Sequence, residues 1–483
     1  MHSEEKEKEI QTGKSPAGLL IYPIVLAIIT ILVYANTLHG DFVWDDYTEI
    51  LNNPTVKSMD NLGIAFTKPF WPALTATTRY PTNYYRPLKT VAYILTIRFL
   101  GLDPFHFHIV SIILHALVGI TVFFIANNFI EDRKYAAIAA AIFIVHPTHS
   151  EAVAWIGTSF TDPMFSLFYL LAFSSYFFRG KFPKAGLGLT VSGIFFFASL
   201  LTKDPAFTFI PLVAFTQIFF QRPTRWKTRI LHLGFFTALF VLYLVMRIEA
   251  LAGFAPSSIF ANLSALQLLS SAAYFFLRYL MLLIFPIGLK AFHFIYPVEN
   301  LLDWRFLVSL PVLFLLLSAA VILWKKRSIF FFYLAWIPLT LFPMFYIKAM
   351  SIPFFCERYL YLPMVGYALI LSHGIKIISE KFKTGTAHAF LYFCAIFIIA
   401  DYLILTVKQN HIWKNDLTFY CDALKNYQGP NTNKNYCTAL YDYDQLDRSL
   451  RCFENYALKY PDDKSVNINL GYIYARQANN LLE

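Results

Sequence analysis

The sequence predicts an all-α, polytopic membrane protein, and three observations predict it. Of its 483 residues 57% are hydrophobic, 18% aromatic and only 14% charged, with a mean hydropathy of +0.51; a water-soluble domain could not cover so much apolar surface. Apolar runs of spanning length recur along the chain, and in hydrocarbon each backbone N–H and C=O must be paired, which makes the helix the spanning element. The basic residues fall in short loops between those runs instead of along one amphipathic face. The net charge of +10 therefore speaks for membrane orientation and against a nucleic-acid ligand.

Taken in order, residues 1–16 are a mixed-charge head, Glu4 to Glu9 included, expected on the cytoplasmic side. Residues 17–38 are the first crossing; the run is too long for a removable leader and lacks a small-residue cleavage pattern, so it is expected to stay as an anchor. Residues 39–104 form one large external loop. Its second half, from Tyr85-Arg86-Pro87-Leu88-Lys89 to Leu100-Gly101, reads as a helix too short and too charged to cross. Lys89 and Arg98 would be stranded in hydrocarbon, so residues 87–100 are placed along the outer surface.

Further crossings are expected near 105–130, 135–148, 162–178, 185–202, 205–220, 230–247, 306–324, 328–347, 359–375 and 387–407, about 11 to 12 in all. The basic loops are Arg179/Lys181/Lys184, Arg222/Arg225/Lys227/Arg229, Lys325/Lys326/Arg327 and Lys376/Lys381/Lys383, all read as cytoplasmic. Gln267 to Pro286 is apolar enough to cross, yet that bias requires an even number of passes between Arg229 and Lys325. Either this helix is partly re-entrant or the charge rule fails once. The transmembrane domain is thus 17–408, and 409–483 is a small tail in which Pro430 to Asp463 spans one 34-residue unit of tetratricopeptide-repeat (TPR) type. The tail is expected to pack on the outer face or on a protein partner. Of its cysteines, Cys421, Cys437 and Cys452, two can pair if the tail is extracytoplasmic.

Charges at membrane depth are costly, and the even-pass topology gathers them on one outer side. Asp45 and Asp46 follow the first crossing, where one carboxylate suits a proton acceptor and the other a substrate holder; the plain alternative is an aspartate-capped helix end. His146, His149 and Glu151, with Asp162 beyond them, read as a substrate-contacting cluster or as helix caps. The proline-interrupted His-x-x-His is not a metal-binding helix pattern, and no metal is expected. Lys203 beside Asp204, Arg358 beside Glu357 and Tyr359, and Arg86 are expected to converge on a phosphate, the alternative being pairing with neighbours. Arg278 and Asp401 are assigned only structural pairing.

As an ordered set, Phe42-Val43-Trp44-Asp45-Asp46, Tyr85-Arg86-Pro87-Leu88, His146-Pro147-Thr148-His149-Ser150-Glu151-Ala152-Val153, Lys203-Asp204 and Glu357-Arg358-Tyr359-Leu360-Tyr361-Leu362-Pro363 carry a resemblance. The chain resembles the transmembrane and tetratricopeptide-repeat O-mannosyltransferases and, more distantly, the dolichyl-phosphate-mannose protein mannosyltransferases. The resemblance implies a GT-C glycosyltransferase that moves a monosaccharide, mannose or similar, from a polyprenyl-phosphate donor to an acceptor hydroxyl, with inversion, on the non-cytoplasmic side. It implies Asp45 as base and Asp46 as the acceptor-side carboxylate. No cofactor is expected, because the leaving group is already a stable phosphomonoester. A protein acceptor is expected; a lipid or glycan acceptor is the rival, as in lipid A or cell-wall decoration, and a membrane scaffold or transporter with a partner-binding tail is the reading outside enzymes. The expected location is a bacterial inner membrane with a periplasmic site, the alternative being the endoplasmic reticulum membrane.

Overall fold

The computed structural model describes residues 17–70, 84–221, 225–253, 260, 262–350, 353–382 and 384–480. The expected head 1–16, part of the external loop (71–83), Arg222 and Lys383 lie outside the described residues. Among the described residues the chain is helical and has no strand, the all-α class. The longer helices are α1 Ala17–Tyr34, α2 Pro87–Leu100, α3 Pro104–Ile130, α4 Arg133–Val145, α5 Asp162–Phe177, α6 Ala185–Leu200, α7 Phe209–Phe219, α8 Trp226–Leu251, α9 Ala265–Ile284, α10 Trp304–Lys325, α11 Ile329–Leu341, α12 Met364–Lys381 and α13 Gly385–Asn410. The tail is α14 Asp416–Leu424, α15 Pro430–Asp442, α16 Leu446–Lys459 and α17 Ser465–Asn480.

Local chemistry sets many of these ends. Asp103 accepts the Phe105 N–H at 2.9 Å and Asp132 the Lys134 N–H at 2.8 Å, capping α3 and α4. Gly101, at φ +102°, closes α2 in a conformation that side-chain-bearing residues rarely adopt. Among the described residues six helical segments are long and apolar enough to cross a membrane: Leu20–His39, Pro104–Ile130, Trp226–Leu251, Ala265–Ile284, Trp304–Lys325 and His388–Trp413. A pair bent by 50°, Arg133–Val145 with Pro147–Ala154, adds a seventh. The other segments expected to cross form shorter helices. Of these, α5 buries most of its length among neighbours and α12 buries its first two turns, Met364 to Leu369, so the bundle encloses those stretches and lipid need not. Rings supply much of the interior: Phe173, Phe332 and Trp336 stack or meet edge-on with centroids 5.2 to 6.1 Å apart.

The segment 267–304 doubles back. Gln267 on the first turn of α9 donates to the Glu299 carbonyl at 3.3 Å and Ser271 accepts the Val298 N–H at 2.8 Å, so the chain returns beside the start of α9 before α10 begins. At the other end of α9, the Leu283 carbonyl meets His146 at 3.1 Å. The chain thus runs back alongside α9 between Phe285 and the start of α10. No ion pair joins Arg278 or Asp401 to another described residue, so the structural pairing expected of them is absent.

The tail is seated on the end of the bundle that carries residues 40–44. The Asp41 N–H donates to the Lys414 carbonyl at 2.8 Å, Tyr443 to the Asp41 carboxylate at 2.6 Å, and the Ala291 N–H to Asp422 at 2.9 Å. A disulfide, Cys437–Cys452, joins α15 to α16, and Cys421 stays exposed and unpaired.

Candidate active site on the tail side of the bundle

Past α1 the chain turns sharply at Trp44, whose φ of +54° is a left-handed conformation that a bulky residue adopts only under constraint. The constraint is visible. The Trp44 N–H donates to Asp416 at 2.8 Å, and its indole stacks on Trp155 (5.1 Å) and Phe419 (5.3 Å) and meets Phe292 edge-on at 4.9 Å. The tail therefore holds the residue that aims the two acids. A wide, π-type turn, Tyr47–Leu51, follows them.

The acids have different surroundings. Asp46 is fully buried; one oxygen accepts the Val43 N–H at 2.9 Å and the other the Trp155 indole N–H at 3.1 Å. Asp45 is half-buried and its carboxylate makes no hydrogen bond to any described residue. Burial pushes Asp45 up to about 7, with Glu49 adding to the rise and Lys89, Arg358 and Arg86 opposing it. Burial drives Asp46 well above the carboxylate range, against the pull of the Val43 N–H. The acceptor-side contact expected of Asp46 is therefore corrected: both its oxygens are committed to protein donors and neither reaches solvent.

Arg358 and Arg86 act on Asp45, and Lys203 lies in the field of both. Arg358 binds Glu151 twice, through its guanidinium Nη1 to one carboxylate oxygen and through its backbone N–H to the other at 2.9 Å, and lies over Trp155 (5.5 Å) and Tyr359 (5.1 Å). Lys203 binds Asp162 at 2.5 Å and also faces the Tyr359 ring at 5.2 Å. Arg86 packs on Tyr84 at 4.4 Å; its Nε is buried and, among the described residues, has neither a hydrogen-bond partner nor an ion pair to neutralise it. Trp155 thus links Asp46 to Arg358, and Tyr359 links Arg358 to Lys203. Asp45, Arg86, Glu151, Asp162, Lys203, Arg358 and Tyr359 belong to one neighbourhood.

Four expected site residues do not share it. His146 is buried, bonded to Thr148 at 2.8 Å and to the Leu283 carbonyl, while His149 is buried and packed on Tyr361 (4.4 Å) and Phe143 (4.6 Å). Both belong to the core, which corrects their expected contact with substrate. Asp204 turns from Lys203 to Tyr243 (2.5 Å) and Arg247 (3.1 Å). Glu357 accepts from the Lys290 N–H and from His293, both at 2.7 Å, and so anchors the returning segment instead of lining the site.

Sequence reading missed Glu49, Trp155, Gly157 and Asp416. Lys89 carried a signal for Glu49: a lysine that cannot face lipid needs either water or a buried acid. Trp155 stands two residues past the His146 motif and carries no charge to single it out. Among the described residues no group of three or more His, Cys, Asp or Glu is placed to hold a metal ion. An open cleft of about 940 Å³, lined by Asn127, Glu131, Arg133 and Lys181 among others, lies at the far end of α3 and contains none of the site residues.

The chain is similar to protein O-mannosyl-transferase TMTC3 of Homo sapiens, 26% identical over 504 residues that cover 93% of this chain and 52% of the relative. Protein O-mannosyl-transferase TMTC1 of Homo sapiens is 38% identical over 199 residues, 39% of this chain and 21% of the relative. The chain thus spans about half the length of TMTC3 and less of TMTC1. No family model matches it. Among solved structures, the apo oligosaccharyltransferase of Archaeoglobus fulgidus aligns with a TM-score of 0.48 at 12% identity, over 86% of this chain and 59% of that one. ArnT from Cupriavidus metallidurans bound to undecaprenyl phosphate aligns with a TM-score of 0.40 at 11% identity, over 88% of this chain and 80% of that one. The resemblance carried by the ordered motifs is borne out by these relatives in sequence.

Proposed function

We propose that the chain is an integral-membrane glycosyltransferase of GT-C type that transfers a monosaccharide, mannose or similar, from a polyprenyl-phosphate donor to a hydroxyl of a protein acceptor, with inversion. The observation that carries this reading is one carboxylate, Asp45, that makes no hydrogen bond to a described residue and lies in the field of Arg86, which has no ion pair to a described residue, and of Arg358, with Lys203 next to Arg358 across the Tyr359 ring. Similarity to proteins named protein O-mannosyl-transferase supports mannose and a protein acceptor. The acceptor oxygen attacks C1 of the sugar from the face opposite the phosphate, the C1–O bond to phosphate breaks, and Asp45 takes the hydroxyl proton. Arg86 and Arg358 hold the charge left on the lipid phosphate; Lys203, already bound to Asp162, adds its field. Asp46 acts through Trp155 and the Val43 N–H as a positioning residue.

The tail disulfide supports a non-cytoplasmic site, because Cys437–Cys452 belongs to a compartment that oxidises thiols and the tail is seated against the Asp45 loop. Periplasm and endoplasmic reticulum lumen both qualify; the relatives named above are human proteins and do not single out a bacterial membrane. The test is transfer of labelled mannose from dolichyl-phosphate or undecaprenyl-phosphate by the purified chain, with products separated into glycopeptide and glycolipid. Label in peptide supports the reading, label only in lipid moves the acceptor to a glycolipid, and no label with either carrier overturns it.

Two expectations attach to this chemistry. The base must be ionised, so the single-turnover rate rises with pH through about 7 and levels off above it, falling about tenfold per unit on the acid side. A flat profile between pH 5 and 9 contradicts Asp45 as base. Because the phosphate leaves as a stable monoester and arginines carry its charge, prolonged EDTA treatment is expected to leave transfer unchanged; loss restored by a divalent cation contradicts this.

A further inference from the structure

We propose that Glu49 and Lys89 are positioning residues for Asp45, a buried ion pair that holds the turn carrying this carboxylate and whose opposite charges set the field in which it binds its proton. The catalytic weight of the pair rests on the reading of Asp45 given above; its structural part does not. Lys89 and Glu49 meet at 2.6 Å with side chains 0% and 5% exposed. Such a pair is costly to desolvate, and two apolar side chains of similar volume would pack more cheaply, so packing alone does not account for it.

The connections run straight to the acids. The Glu49 N–H donates to the Asp45 carbonyl at 2.8 Å, and the wide turn Tyr47–Leu51 carries the Glu49 side chain inward. There one oxygen of Glu49 accepts from Lys89 and from the Tyr93 hydroxyl at 3.2 Å. Lys89 also donates to the Gly157 carbonyl at 2.7 Å, with the Phe70 ring 4.4 Å away. Gly157 in turn sits against Asp46: a Cβ there would lie 2.8 Å from the Asp46 carboxylate and 2.9 Å from the Trp155 ring. One ammonium thus ties α2 to the acid-bearing turn and to the segment that fixes its second acid.

The groups whose charge acts on Asp45 are Glu49 and Asp46 on its own turn, Lys89 and Arg86 at the start of α2, and Arg358 on the turn before α12; Tyr420 of α14 is also within its field. Glu49 favours the proton on Asp45 and Lys89 disfavours it. Neutralising one therefore moves the titration of Asp45 in the opposite direction from neutralising the other, which loss of packing would not do.

The experiment follows Asp45 directly. The full chain in detergent is treated with a water-soluble carbodiimide and glycine ethyl ester between pH 5 and 9, and coupling to Asp45, which requires the protonated acid, is measured by peptide mass spectrometry. Glu49→Gln is expected to lower the midpoint and Lys89→Met to raise it, each by about half a unit or more, while the double variant returns close to the unmodified chain. Coincident midpoints, or shifts in the same direction, overturn the proposal. If Lys89→Met, which strands a buried carboxylate, does not fold, Glu49→Gln against the double variant carries the same test: a midpoint lowered in the first and restored in the second supports the pair, and equal midpoints overturn it. Transfer by Asp45→Asn is assayed in parallel. Full activity there, with separated labelling midpoints, removes the base reading and leaves the positioning pair standing.

Discussion

Asp45→Asn is expected to lower single-turnover transfer about 10²–10⁴-fold, roughly 3–5 kcal/mol on the barrier, with little change in thermal stability. The asymmetry follows from hydrogen bonding. The Asp45 carboxylate supports no described neighbour, so an amide in its place removes the proton acceptor and leaves the scaffold intact. Asp46→Asn should behave differently. Its two oxygens receive the Val43 N–H and the Trp155 indole N–H, and an amide nitrogen facing either donor breaks the turn. That variant loses stability and activity together, as seen by thermal denaturation beside the transfer assay. Equal stability loss in both variants would contradict the division of roles.

Arg358→Met is the second large effect. Glu151 is 3% exposed at its side chain and receives both its charged partner and a backbone N–H from Arg358. Removing the guanidinium leaves a buried, unpaired carboxylate, which costs about 3–5 kcal/mol of stability. The double variant Glu151→Gln/Arg358→Met removes both charges and should recover most of that stability while still failing to bind donor, because the phosphate has lost a fixed cation. Thermal denaturation and donor-lipid binding read the two losses separately. Donor affinity restored along with stability would show that Arg358 is structural only.

The fold class was legible in the sequence because lipid leaves one backbone solution and composition announces the lipid. The loop charges of Arg229 and Lys325 leave two readings of residues 267–304, a partly re-entrant helix or one exception to the charge rule, and the return of the chain beside α9 rests on contacts, Gln267 with Glu299 and Ser271 with Val298, that loop charge does not encode. The site was legible in part. Arg86, Glu151, Asp162, Lys203 and Arg358 stand out because each is a charge that membrane depth makes expensive. Expense does not say what the charge is for. His146 and His149 met the same criterion, yet an edge-on contact of His146 with Tyr402 and a tilted one of His149 with Tyr361 hold them in the core. Lys89 was correctly judged unfit for hydrocarbon and then assigned to the surface, when a glutamate forty positions earlier in the chain absorbs its charge. That pairing, like the seating of Asp416 on Trp44 and the bridge from Cys437 to Cys452, depends on tertiary proximity, which local pattern does not encode.

The measurement that bears most directly on the account is a structure of the full chain with a polyprenyl-phosphate donor bound. The account predicts the phosphate within hydrogen-bond distance, about 3 Å, of the Arg86 and Arg358 guanidinium groups, with the far side of the sugar C1 open toward Asp45. A donor phosphate held elsewhere, with Asp45 facing no sugar, would contradict it.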